Sequence, residues 1–349
     1  MTSVEKKGRI SARLHSLDGL RAVSILLVLL GHLNGTRNFG TFNFIAGDIA
    51  HLGVVIFFVI SGFLITSLLA AECDRSGRIS LRPFYARRAL RITPPSYLYL
   101  CVVSGLAAAG VIALHPYDLL HALTWTASYA PNRSWYIGHL WSLSVEEQFY
   151  LLWPFAFALD GTRKRMSIAA LVIAIGPAAR FAAWFALRGS PYQDQPMFPM
   201  VADSLAAGCI LGLGRVWFES KQWYLALFRP LPSASLLVAV LAINRYADFS
   251  VVRIFGTGVI NIMLAILIHR SVYCWRDPLG RLLNWKPLAF CGALSYSLYI
   301  WQQLFLNRDS GAWLNAFPQN LGCAVGAALV SWFALEKPLM SLRRRLHPD

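Results

Sequence analysis

Ten apolar segments divide the chain, at roughly 17–34, 49–71, 96–114, 145–160, 166–187, 200–217, 233–246, 252–270, 287–306 and 319–336. A bilayer core about 30 Å thick takes roughly 20 apolar residues per helical crossing. Lipid offers no hydrogen-bond partners, so each crossing must satisfy its own peptide groups, and that leaves the helix. The expected fold is therefore all-α: a polytopic membrane helix bundle of about ten spans. Composition agrees, with 56% hydrophobic and 14% charged residues, where soluble domains carry about 25% charged. The fourth segment, interrupted by Pro154, and the short seventh are the weakest of the ten.

The formal charge of +15 would favour nucleic acid only if the basic residues shared a face. Here they lie between apolar segments, so no nucleic-acid partner is expected. With ten spans, 23 of the 32 lysines and arginines fall on one side and 6 on the other. The positive-inside rule then places both termini in the cytosol, in the inner (cytoplasmic) membrane, with the bilayer as the first partner. Lys6, Lys7, Arg9 and Arg13 precede the first span with no separate apolar core, so that span is expected to serve as the targeting signal. The whole of 1–349 reads as one transmembrane domain, with tails at 1–16 and 337–349 and no appended soluble domain. The longest outer connection, 115–144, is rich in aromatic residues and is expected to form a structured cap. Six cysteines without a CxxC indicate neither a disulfide frame nor a metal site.

The first span, LDGLRAVSILLVLLGHL, is mostly apolar only from Ala22 to Leu33. That covers roughly 18 Å, so the helix must begin nearer Leu17, which draws Asp18 and Arg21 toward membrane depth. Arg21 and His32 are eleven residues apart. They share a helical face, separated by roughly 16 Å along the axis. Facing lipid they would cost several kcal/mol, so that face points into a bundle or cavity. Interface snorkelling by Arg21 is the alternative.

After the second span the sequence reads RPFYARRALRITPPSYLYL. Arg88 and Arg91 are neighbours on one helical face, with Arg87 beside them. Such guanidinium groups either grip phosphate oxygens or anchor the inner interface. Pro94 and Pro95 are expected to break the helix. HLWSLSVEEQFYLLWP then carries Glu146 and Glu147 into an apolar helix, with Ser142, Glu146 and Tyr150 on one face. His32 and Glu146 are expected at similar depth, where a carboxylate would set the imidazole tautomer. Ser61-Gly62 suits close helix packing. Tyr296, Ser297, Gln302 and Gln303 make the ninth segment polar enough to line a cavity, and Glu336 reads as an interface anchor.

Six segments together resemble the acyltransferase-3 family of integral membrane O-acyltransferases: LDGLRAVSILLVLLGH, FFVISGFLI, FYARRALRITPPSY, HLWSLSVEEQFYLLWP, LSYSLYIWQQ and LEKPLMSLRRR. They occur in the family's order from residue 17 to 345. The resemblance implies transfer of an acyl group, usually acetyl, from a cytosolic acyl-CoA co-substrate (acetyl-CoA) to a hydroxyl, commonly on a glycan. The implied catalytic positions are Arg21, His32 and Glu146, and the implied coenzyme A contacts are Arg88 and Arg91, with Arg87 adjoining. After SLYIW the family commonly has histidine, and this chain has Gln302. A separate extracytoplasmic transferase is a further implied partner, since some members carry such a domain. A small metabolite such as a macrolide is an alternative acceptor. A proton-coupled or lipid-linked-sugar transporter is the rival class, because intramembrane Arg, His and Glu serve that too.

The charge asymmetry makes a topological prediction. Single cysteines introduced at Ser76 and Asn132 are expected to label from opposite sides of the membrane, and labelling from one side contradicts the ten-span arrangement.

Overall fold

A computed structural model of the protein describes residues 3–41, 48–159, 161–193, 195–246 and 250–346; for 3–15 and 342–346 it describes the backbone alone. Lys6, Lys7, Arg9, Arg13 and Arg343 to Arg345 thus lie outside the described side chains. Every regular element among the described residues is helical.

In chain order, α1 is Ser3–Leu33, α2 Ile49–Ser76 and α3 Leu81–Ala108. The cap connection holds α4, Asp118–Leu123, and α5, Trp135–Gly138. Next come α6, Leu140–Leu152, α7, Thr162–Ala186, and α8, Phe198–Glu219. They are followed by α9, Gln222–Ala226, α10, Pro230–Arg245, and α11, Thr257–Tyr273. The last group is α12, Pro278–Leu283; α13, Lys286–Ala293; α14, Ser295–Phe305; α15, Gln319–Ser331; and α16, Lys337–Leu346.

Six helical stretches among the described residues are long and apolar enough to cross a membrane: Ser16–Leu33, Ile49–Ser76, Thr162–Ala186, Phe198–Glu219, Val252–Tyr273 and Gln319–Ser341. This is a multi-pass membrane protein. The other four expected segments are helical too but are built differently. α3 carries Arg82, Arg87, Arg88 and Arg91 in its first half. The fourth segment is α6 continued by a 3-10 turn, Trp153–Ala158, with Pro154 in its first turn. The seventh is the 16-residue α10. The ninth is split into α13 and α14 at Leu294.

Three local expectations are corrected. α1 does not start near Leu17 but runs back to Ser3. Pro94 and Pro95 do not end a helix, because α3 passes through them. A proline removes one backbone donor, here those that would reach the carbonyls of Leu90 and Arg91, and membrane helices tolerate this. Beside them, Ser96 Oγ and Tyr296 Oη both donate to the carbonyl of Ile92, at 2.9 and 2.6 Å, which ties this turn of α3 to α14. Glu336 is no interface anchor: it is buried and accepts from Ser297 and Ser331.

Glycines set the closest helix approach. A Cβ at Gly62 on α2 would lie 1.9 Å from the Leu205 carbonyl oxygen, and one at Gly208 on α8 would lie 2.1 Å from that of Val59. Without large side chains to separate them, the two backbones pack directly, as small residues allow in membranes. Gly62 plays the packing role read from the sequence, while its neighbour Ser61 turns to the site.

The 115–144 connection folds as a cap. The Asp118 carboxylate accepts from the backbone amides of His115 and Ser134, at 2.9 and 3.2 Å. Arg133 Nη1 donates to the carbonyls of Ala127 and Ala130 and to Gln195 Oε1. These bonds hold Trp135 and His139 over one end of the bundle, called here the cap end; the opposite end, where Arg87 and Arg88 lie, is the basic end.

Candidate active site

Two chambers meet inside the bundle. The first, toward the basic end, has a cavity volume of about 70 Å³. α1 supplies Arg21, α2 supplies Ser61, α3 supplies Arg88 and Arg91, and α6 supplies Glu146 and Tyr150. Three guanidinium groups thus face one carboxylate. Arg21 pairs with Asp18 at 3.1 Å. Arg88 lies flat over the Tyr150 ring, 3.8 Å from its centroid. The Tyr150 hydroxyl donates to Glu146 Oε1 at 2.7 Å, and Ser61 Oγ donates to the same oxygen. The carboxylate therefore braces the platform that positions Arg88, while Arg91 makes no hydrogen bond with any described residue. Asp18 occupies Arg21, so Arg88 and Arg91 are the guanidinium groups that no carboxylate pairs with in the chamber.

The second chamber, toward the cap end, has a cavity volume of about 530 Å³ and is lined by His32, Trp135, His139, Trp141 and Arg308, among others. Val54 and Tyr299 line both chambers. Tyr299 is fixed at this waist by bonding to Ser142 Oγ at 2.6 Å and donating to the carbonyl of His139 at 2.9 Å.

His32 Nδ1 lies 2.8 Å from Gln302 Oε1. Gln302 Nε2 donates to Gln303 Oε1 at 2.9 Å, and Gln303 Nε2 donates to the carbonyl of Trp135 at 2.8 Å. The last acceptor fixes the polarity of the whole chain. A backbone carbonyl can only accept, so it requires the amide nitrogen of Gln303. That turns Gln303 Oε1 toward Gln302, turns Gln302 Oε1 toward His32, and leaves the proton on Nδ1. In the neutral ring His32 Nε2 is then the nitrogen without a proton. Both glutamines are buried, so the chain is shielded from water that would scramble it. The Trp135 indole packs edge-on to the imidazole at 5.6 Å and donates from Nε1 to the Gln303 carbonyl at 2.8 Å.

His139 is also in the second chamber, 4% exposed, with neither ring nitrogen bonded to a described residue. It lies in the cap connection, outside the apolar segments. Burial pushes its pKa down to about 3, so its imidazole is neutral.

The structure brings Arg21, Arg88, Arg91 and Glu146 together in one chamber and places His32 in the next. Two expected relations are not formed. Glu146 does not pair with His32, because its partners lie on α2 and α6. Arg87 does not face the chamber but pairs with Glu72 at 3.7 Å. Adjacent residues on a helix point about 100° apart, so Arg87 and Arg88 cannot share a site. The residues that the sequence did not mark are Trp135, His139 and Tyr299. Gln302 was marked as polar lining of the ninth segment and as a departure, not as the partner of His32.

The family model for the acyltransferase-3 acyltransferase domain matches residues 14–336. The chain belongs to the acyltransferase-3 family. Its relatives include a peptidoglycan O-acetyltransferase of Listeria monocytogenes, 29% identical over 325 residues, covering 82% of this chain and 48% of that protein. An O-acetyltransferase of Staphylococcus aureus is 29% identical over 324 residues, covering 82% and 50%. The chain spans about half the length of these curated relatives. No solved structure matches it. In this acyltransferase-3 chain, Gln302 is the direct partner of His32.

The amide chain predicts a tautomer. In the protein labelled with 15N-histidine, solid-state NMR is expected to find the His32 proton on Nδ1, assigned by its loss in His32→Asn. Gln302→Leu should populate the Nε2 tautomer. A wild-type His32 protonated on Nε2 contradicts the chain of amides.

Proposed function

We propose that the protein is a membrane O-acyltransferase that takes an acetyl group from acetyl-CoA on the cytosolic side and delivers it to a hydroxyl of a cell-envelope glycan. The observation that carries this reading is the pair of joined chambers, one cationic and one holding a basic imidazole nitrogen. The names of the relatives support acetyl as the group and a glycan such as peptidoglycan as the acceptor.

Arg88 and Arg91, with Arg21, hold the phosphates of coenzyme A. Guanidinium groups suit them through paired, charge-assisted hydrogen bonds, and Arg91 makes no hydrogen bond with a described residue that would compete. Phosphates bound there leave the pantetheine arm to extend to the Val54–Tyr299 waist, which presents the thioester to His32. His32 Nε2 removes the proton from the acceptor hydroxyl. The oxygen attacks the thioester carbonyl carbon, the C–S bond breaks, and the coenzyme A thiolate recovers the proton from the imidazolium. The thioester is already activated, so positioning and base catalysis suffice. Gln302 keeps Nε2 aimed at the acceptor by holding Nδ1. In this orientation both termini lie in the cytosol and the membrane is the inner membrane.

A transporter would use the same residues to carry a solute or proton. The arginine chamber favours the transferase over a proton-coupled transporter, since a transported proton needs no such cluster, and the names of the relatives favour it over a lipid-linked-sugar transporter.

The test pairs two variants. His32→Gln is expected to bind coenzyme A while losing transfer, on the order of 10²–10⁴ in rate. Glutamine keeps polarity but takes no proton at neutral pH. Arg88→Ala/Arg91→Ala is expected to weaken coenzyme A binding by roughly 2–5 kcal/mol. Envelope glycans from cells with the wild-type protein should exceed those from the His32→Gln strain by one acetyl mass per modified sugar. A folded His32→Gln protein with near-normal transfer contradicts the mechanism, and no acetyl difference on any glycan contradicts the function.

A further inference from the structure

The His32 chamber holds an arginine seated on an aromatic ring. Arg308 follows α14 and lines that chamber. Its guanidinium carbon lies 5.8 Å from the centre of the Trp135 ring, within cation–π reach. The arrangement repeats, at looser range, that of Arg88 over Tyr150 in the other chamber. A ring takes a guanidinium by its face and leaves the N–H edge unused.

That edge is free. Arg308 is exposed and makes no hydrogen bond or ion pair with any described residue. Its mount, by contrast, is fixed on both sides. Asn307 Nδ2 donates to the Tyr136 hydroxyl at 3.3 Å, and Asn307 Oδ1 accepts from the Asp309 amide at 3.0 Å. Asn315 Nδ2 donates to the carbonyls of Leu304 and Phe305 and closes the turn from behind.

The chamber's other charged side chains have structural work. Arg133 Nη1 is taken up by two backbone carbonyls and Gln195. Asp48, the one carboxylate in the lining, caps α2 by accepting from the His51 amide at 2.9 Å, and it forms no ion pair with Arg308. A fixed mount that carries an unpaired cation into a binding chamber is arranged for an anion from outside the chain.

Distance connects that anion to the chemistry. Trp135, which carries the guanidinium on its face, packs edge-on to the His32 ring at 5.6 Å. The two separations laid end to end are the farthest that Arg308 can lie from the imidazole, and that reach is the span of one or two sugars. A group held by Arg308 and a hydroxyl held at His32 Nε2 can therefore belong to one acceptor. Guanidinium geometry selects the group: its planar fork matches the two oxygens of a carboxylate or phosphate, with charge to assist both bonds. An uncharged hydroxyl engages one N–H and leaves the charge unmatched.

Resting on the O-acetyltransferase reading above, we propose that Arg308 selects the acceptor by binding an anionic group, carboxylate or phosphate, on the acetylated sugar or the sugar beside it. The enzyme then prefers anionic glycans to neutral ones, and the pairing at Arg308 sets which hydroxyl reaches Nε2.

The test varies acceptor charge. Oligosaccharides are cut from the glycan that wild-type cells acetylate and are freed of acetyl esters with mild base. They are offered with acetyl-CoA to the purified full-length protein in three forms: intact, with carboxylates amidated, and with phosphates removed. In the wild type, one of the two neutralised forms is expected to show a KM at least tenfold above the intact form, the scale of one charge-assisted hydrogen bond. Which form it is distinguishes carboxylate from phosphate. Arg308→Gln and Arg308→Met should each shrink the ratio below twofold by raising KM for the intact form. Both are checked for folding by gel filtration and thermal melting, and either folded variant suffices. A glycan without carboxylate or phosphate on the modified sugar or its neighbour overturns the proposal. So does a wild type indifferent to neutralisation, or a folded variant that keeps the tenfold ratio, as it would if Arg308 met only lipid headgroups. If wild-type cells acetylate no glycan, it is the O-acetyltransferase reading that fails, and the selection falls with it.

Discussion

A hydrogen bond 2.8 Å long between His32 and Gln302 fixes what this bundle can do, and its direction is dictated from elsewhere. Its polarity is set two residues away, at the carbonyl of Trp135. That carbonyl belongs to the cap, held by Asp118 and Arg133 through backbone amides and carbonyls. The imidazole on α1 is therefore oriented by α14, and α14 is read against the cap. Burial makes the arrangement rigid, because an amide flip inside the bundle would set two oxygens against each other with no water to intervene.

Charge is distributed to match. The arginines and Glu146 share one chamber, and His32 occupies the next. Glu146 accepts from Ser61 and Tyr150 and so supports Arg88 indirectly, through the ring on which that guanidinium lies. A carboxylate bound directly to Arg88 would compete with a phosphate for its donors. A tyrosine ring holds the cation by its face and leaves the guanidinium edge free for hydrogen bonding. The waist at Val54 and Tyr299 is where the two chemistries meet.

Much of this was legible in the sequence. The helical class followed from apolar segments that admit no other backbone solution. Arg21 and His32 were marked by helical geometry, and Arg88 and Arg91 by their spacing. The polar ninth segment was read as cavity-lining, and it is. Other features carried no one-dimensional signal. The partner of His32 was assigned to Glu146 because both were placed at similar depth, but depth does not specify which neighbouring helix a side chain meets. Gln302 looked like a loss because glutamine does not titrate; its part here is to accept a hydrogen bond, which needs no titration. The deciding group in the chain, the Trp135 carbonyl, is a backbone atom that any residue would supply. Arg87 was grouped with its neighbours by proximity in sequence, although a helix turns adjacent residues apart. Pro94 and Pro95 looked like a break because a proline lacks the backbone donor, although α3 runs through both.

The most direct measurement is a cryo-EM map of the wild-type protein with coenzyme A bound. The account predicts phosphate density against Arg88 and Arg91 and the thiol end at the Val54–Tyr299 waist, facing His32 Nε2. Coenzyme A bound outside the arginine chamber, or with its thiol directed away from the waist, would contradict it.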